Sequence, residues 1–90
     1  MNKKKFLARL ITNQKNVKYN DFIALVKAFE FVHRRTDGSH DIFKHVSVSE
    51  SLNTQSRKGE AKPYQVRQFL AIVEEHNLML KSEKEEDEDV

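Results

Sequence analysis

Cysteine is absent from this 90-residue chain, which excludes disulfides and any zinc site built on thiolates. Long apolar runs are missing as well. The opening Met1-Asn2-Lys3-Lys4-Lys5 is basic, but the apolar stretch that follows, residues 6–11, is interrupted by Arg9. No signal peptide or membrane span is expected, and a cytoplasmic location is the default. There is no internal repeat. No helix-turn-helix with a polar recognition helix stands out, which weakens a DNA-binding reading.

What is present suits one small domain. Hydrophobic residues make up 38% and charged residues 33%, a globular balance at a length that supports a single modest core. The net charge of +2 conceals an asymmetry. Residues 81–90 hold two of the sixteen basic and six of the fourteen acidic residues, leaving fourteen against eight, or +6, in residues 1–80. We therefore expect a basic domain over 1–80 and an acidic, disordered tail over 81–90. A basic surface suits a polyanion such as RNA or DNA, although ordinary solubilising charge gives the same count.

Apolar spacing places the elements. Phe6, Leu7, Leu10 and Ile11 predict a helix over 4–12, and Asn13-Gln14-Lys15-Asn16 a break. Asn20 is an expected N-cap, with Asp21 behind it and Phe22, Leu25, Val26 and Phe29 forming one stripe. Residues 31–35 and 39–45 look extended around Thr36-Asp37-Gly38, which suits a three-residue hairpin loop with glycine in the left-handed position. That register sets Phe31 opposite Phe43, Val32 opposite Ile42, His33 opposite Asp41 and Arg34 opposite His40. A two-residue Asp37-Gly38 turn would put Arg35 opposite His40 instead. Residues 51–55 read as a third strand and 56–60 as a basic loop. Pro63, the single proline, sits at a first helical position, ahead of Val66, Phe69, Leu70 and Val73. Asn77 is a candidate left-handed cap. The expected order is α-α-β-β-β-α, an α+β fold with a three-stranded antiparallel sheet and helices on one face, as in double-stranded-RNA-binding domains.

Two segments carry a family resemblance. The first is Arg35-Thr36-Asp37-Gly38-Ser39-His40-Asp41-Ile42-Phe43-Lys44-His45. The second is Leu52-Asn53-Thr54-Gln55 with Lys58-Gly59-Glu60-Ala61-Lys62-Pro63-Tyr64-Gln65-Val66-Arg67-Gln68. Together, over about residues 4–80, they resemble the HicA toxin family. There the Gly-Ser-His-x-x-Phe stretch is the catalytic strand, and Lys-Pro-Tyr-Gln-Val-Arg opens the last helix. Two positions depart from the family pattern. Glu30 stands where the family usually has glycine, and Asp41 where a second basic residue or histidine often follows the catalytic one.

The resemblance implies the toxin of a type II toxin–antitoxin pair: an endoribonuclease that cleaves mRNA, needs no metal or other cofactor, and is neutralised by a HicB-type antitoxin. It assigns catalysis to His40. The chemistry agrees, because metal-free RNA cleavage needs proton transfer at the attacking 2′-hydroxyl and at the leaving 5′-oxygen. Imidazole is suited to both. Arg34 or Arg35, according to the register, is expected with Lys44 to stabilise charge on the phosphorus centre. Arg57, Lys58, Lys62 and Arg67 cluster at the start of the last helix as a phosphate site. Gly38 and Ser39 are expected to hold the turn. Water, Asp41 and Tyr64 are candidates for the second proton-transfer group, and Tyr64 either stacks on a base or packs on the sheet. His33 is expected to pair with Asp41, His45 to end its strand, and His76 to lie in the last helical turn. His40 and His45 differ by an odd number, so a regular strand turns them to opposite faces and they share no ion. Two other readings compete: a non-catalytic RNA-binding module, and an adaptor that docks a protein.

Overall fold

The computed structural model describes residues 2–83. In chain order the elements are α1 (Lys3–Thr12), α2 (Tyr19–Ala28), β1 (Val32–Asp37), β2 (His40–Lys44), β3 (Leu52–Arg57), β4 (Glu60–Ala61) and α3 (Pro63–Glu75). Of the acidic tail expected from residue 81, residues 84–90 lie outside the described residues. Residues 81–83 are helical, and the Glu83 carboxylate lies 3.9 Å from Lys4 Nζ.

The α+β class is as expected, but the antiparallel sheet has four strands, in the order β1-β2-β3-β4. Glu60, expected at the end of a basic loop, forms the fourth strand with Ala61. Lys58 and Gly59 both adopt positive φ, 53° and 81°, the signature of a two-residue type I′ turn whose twist matches its flanking strands. The turn sets Ser56 opposite Ala61 and Arg57 opposite Glu60. The outer edge of β4 is covered by the segment entering α2. Ala61 N–H donates to Val17 O (2.8 Å) and Tyr19 N–H to Gly59 O (2.9 Å). These bonds also explain why α2 starts after Lys18, without a side-chain cap, rather than at the expected Asn20 cap. An amide of its first turn is satisfied by the β3–β4 turn.

Two helices end in the same left-handed device. After α3, Asn77 takes φ 52°; its N–H donates to Glu74 O (3.3 Å) and the Leu78 N–H to Val73 O (2.9 Å). After α2, Glu30 takes φ 69°, with Glu30 N–H to Lys27 O (2.9 Å) and Phe31 N–H to Val26 O (3.4 Å). Both are Schellman motifs. The helix-to-strand turn thus forms with glutamate at a position that favours glycine.

The hydrophobic core lies between the helices and one face of the sheet. Phe69 of α3 is central, its ring 5.6 Å from Phe22, 5.5 Å from Phe29 and 5.8 Å from Phe31. The sheet contributes Phe43, Leu52 and Ala61. Burying one such phenylalanine stabilises the fold by about 1.5–3 kcal/mol.

The β1–β2 hairpin corrects both expected registers. Its loop is Gly38-Ser39, with Asp37 opposite His40, Thr36 opposite Asp41, Arg35 opposite Ile42 and His33 opposite Phe43. Gly38, at φ 59°, occupies the first loop position, where a type II′ turn requires it. A bulge between His33 and Arg35 leaves Arg34 unpaired. Without it, this turn would set Arg34 opposite Phe43 on the helix-covered face. The extra residue brings His33 there instead, its ring 5.2 Å from Phe43. Neither Arg34 nor Arg35 therefore lies opposite His40, and Phe31 precedes β1 rather than pairing with Phe43.

Candidate functional site

His40 is the first residue of β2, flanked across the ladder by Asp37 of β1 and Gln55 of β3. Strand alternation turns it to the same face as Ile42 and Lys44, away from the helices. Its imidazole makes no hydrogen bond or ion pair with another described residue.

Asp41, next in the chain, faces the helix side. Tyr19 Oη donates to its Oδ2 (2.5 Å) and Thr36 Oγ1 to its Oδ1 (2.8 Å). His33 Nε2 stands 3.4 Å from Oδ1, so the expected His33–Asp41 pairing forms, as a diagonal contact across the bulge. Thr54, fully buried, completes the group with its Oγ1 2.8 Å from Tyr19 Oη. Burial first, and then the Asp41 hydrogen bond, push the Tyr19 hydroxyl up to about 12. The Tyr19 hydrogen bond, joined by Thr36 and His33, holds the Asp41 carboxyl below its ordinary value. Asp41 is thus committed to a structural network on the face opposite His40.

A basic groove of about 520 Å³ opens beside the β3–β4 turn, lined by Arg57, Lys58, Glu60, Lys62 and Tyr64. It unites three of the four cations expected there. Arg67 lies instead on another surface of α3, beside Leu7 and Ile11 of α1. Tyr64 is 54% exposed, so it does not pack into the core. Gln55 connects the groove to His40. Its Nε2 donates to Ser39 Oγ (2.6 Å), its Oε1 accepts from Lys62 Nζ (2.5 Å), and its backbone N–H is held by Gln65 Oε1 (2.8 Å). Ser39 thus grips a neighbouring strand. The sequence shows Gln55 and Gln65 within the segments of resemblance but offers no role for either; only the folded register reveals one.

The remaining cations are dispersed. Lys44 Nζ donates to Ser49 O (2.5 Å). Arg35 Nε pairs with Asp37 Oδ2 at 2.9 Å. Arg34, in the bulge, borders a surface depression with Val32 and Lys44. Val32 is 56% exposed, whereas Ile42, on the same face of the sheet, is only 7% exposed. His45 is buried just beyond β2, its Nδ1 accepting from the Ser47 N–H (2.9 Å). His76 caps α3.

Glu50, Glu75 and His76 bring three potential metal-ligating atoms within 4.8 Å of one another. They lie at the C-terminal end of α3, about 20 Å along the helix from the groove. His76 Nε2 is 3.7 Å from Glu50 Oε1, an ion pair when the imidazole is protonated. Among the described residues, no helix is long and apolar enough to cross a membrane. Comparison with protein-family profiles, with curated proteins and with solved structures found no match.

Proposed function

We propose that this chain is a HicA-type toxin: a cytoplasmic endoribonuclease that cleaves mRNA without a metal, with His40 as general acid–base and a HicB-type antitoxin as its inhibitor. The fold is read as a variant of the double-stranded-RNA-binding architecture, in which β4 extends the sheet. One observation carries the reading. The histidine of the Gly38-Ser39-His40 turn stands on the helix-free face with no described partner, while a hydrogen-bonded chain through Gln55 ties its turn to a basic groove. A structural histidine would be expected to have partners, as His33 and His45 do.

In this reading the 2′-oxygen attacks the adjacent phosphorus and the bond to the 5′-oxygen breaks. The products are a 2′,3′-cyclic phosphate and a free 5′-hydroxyl. His40 takes the proton from the 2′-hydroxyl or delivers one to the 5′-oxygen; water serves the other end. Acid–base help of this kind is worth about 10²–10⁴ in rate. Arg57, Lys58 and Lys62 hold the phosphodiester chain. Slow turnover is sufficient for a toxin, because each cut message is lost to translation.

Expression in a bacterial host tests the assignment. The wild-type chain should arrest growth, and the His40→Ala variant, folded and equally abundant, should not. Undiminished arrest by that variant would remove His40 from the mechanism. The non-catalytic RNA-binding module draws support from one observation: with Asp41 on the other face, no described side chain stands out as a second proton-transfer group. That reading expects RNA binding without fragments.

A further inference from the structure

Aromatic side chains are sharply divided in this protein. All six phenylalanines are buried, and the Tyr19 hydroxyl is bound by Asp41 and Thr54. Tyr64 alone is largely exposed, at 54%. It stands on the wall of the basic groove, with Arg57, Lys58 and Lys62 around it. Its hydroxyl is held by Gln65 Nε2 at 3.3 Å, and Gln65 is itself buried and bonded to the backbone of Gln55. The side chain is therefore anchored at its hydroxyl tip while more than half of its area remains in solvent.

An exposed aromatic ringed by cations is the arrangement with which proteins take up unpaired nucleotides. The ring stacks on a base and the cations hold the flanking phosphates. Glu60, also in the groove, opposes a site for phosphate alone and suits a base edge that donates an N–H. The volume of about 520 Å³ falls in the range of small-ligand pockets, ample for one nucleobase.

We propose that this groove binds one unpaired nucleotide of a single-stranded RNA, with its base stacked on Tyr64, its phosphates held by Arg57, Lys58 and Lys62, and its base edge facing Glu60. The inference rests on the reading of the protein as an RNA-cleaving toxin and adds the substrate form and a specificity-determining residue. Base-paired RNA has no free base face to offer, so the groove selects single strands or loops.

The test is binding of a 2′-O-methylated single-stranded RNA, which lacks the attacking hydroxyl, followed by fluorescence anisotropy. Tyr64→Ala should weaken the complex about 5- to 150-fold, the effect of losing one stacked base, while Tyr64→Phe should stay within about twofold of wild type. A blunt, fully paired two-strand duplex, which has no loop, should bind equally to all three. Tyrosine emission provides a second measure that does not need the alanine variant. The chain has no tryptophan and two tyrosines, so in Tyr19→Phe all emission comes from Tyr64 and should be quenched by the single strand. Unchanged affinity in Tyr64→Ala together with unquenched emission overturns the stacking site while leaving the nuclease reading intact. Wild-type protein that binds no RNA at all overturns both.

Discussion

His40 and Asp41 are neighbours in the chain and face opposite sides of the sheet. Asp41 accepts a 2.5 Å hydrogen bond from Tyr19 on the helix side, while His40 stands on the other side between Asp37 and Gln55. The two side chains therefore serve different purposes. Asp41→Asn should keep RNA cleavage within about tenfold of wild type, whereas His40→Ala should lose at least the ~10² that acid–base catalysis contributes. Single-turnover cleavage rates of the two folded variants make the comparison. Equal losses would return Asp41 to the reaction.

The same network governs stability at the pH extremes. The Asp41 carboxyl is held low in the folded state, so its contribution is present above the unfolded value of about 3.9 and is lost as pH falls through the folded value. Tyr19 is raised to about 12. Its contribution is complete below the unfolded value of about 10 and disappears as pH rises through 12. Urea midpoints measured against pH should decline at both ends. Tyr19→Phe should flatten both declines, and an unchanged profile in that variant would place the pH sensitivity elsewhere.

Glu30 occupies a left-handed position, φ 69°, at the end of α2. Such a backbone costs a non-glycine residue on the order of 1 kcal/mol. Glu30→Gly relieves this, gives up the interaction Glu30 makes, and leaves a freer unfolded chain. With the strain partly offset by these two losses, the expected net gain is at most about 0.5 kcal/mol, a rise in Tm of up to roughly 2–4 °C for a domain of this size. A lower Tm by circular dichroism would show that the side-chain interaction outweighs the strain.

The groove cations should account for the salt dependence of RNA binding. Each phosphate contact on a single strand contributes about −0.7 to the slope of log K against log salt. Alanine at Arg57, Lys58 and Lys62 together should make that slope shallower by about 2. Arg67→Ala, on a different surface of α3, should leave it unchanged. A matching loss from Arg67→Ala would move the phosphate path onto the α1–α3 surface.

These residues also show how much the sequence discloses. The α3 stripe and its Asn77 cap were legible because helical period and cap chemistry are local. The α2 start was not: its amide bonds to Gly59 O, forty residues further along the chain. The same long-range pairing hid β4, which is only two residues long. The hairpin register was missed because His33, Arg34 and Arg35 are all polar, so alternation could not reveal a bulge among them. Of the seven expected RNA-binding cations, Arg57, Lys58 and Lys62 converge. Lys44 is engaged with Ser49 and Arg35 with Asp37, contacts that spacing along the chain does not show. Gly38 was correctly expected to be left-handed, yet it holds the first of two loop positions rather than the last of three.

In the proposed mechanism His40 cuts RNA without a metal. The most direct measurement incubates purified wild-type and His40→Ala protein with single-stranded RNA in excess chelator and resolves the products on a denaturing gel. Fragments ending in 2′,3′-cyclic phosphate are expected from the wild type alone. Intact RNA in both reactions, with both proteins folded and bound to it, would contradict this mechanism.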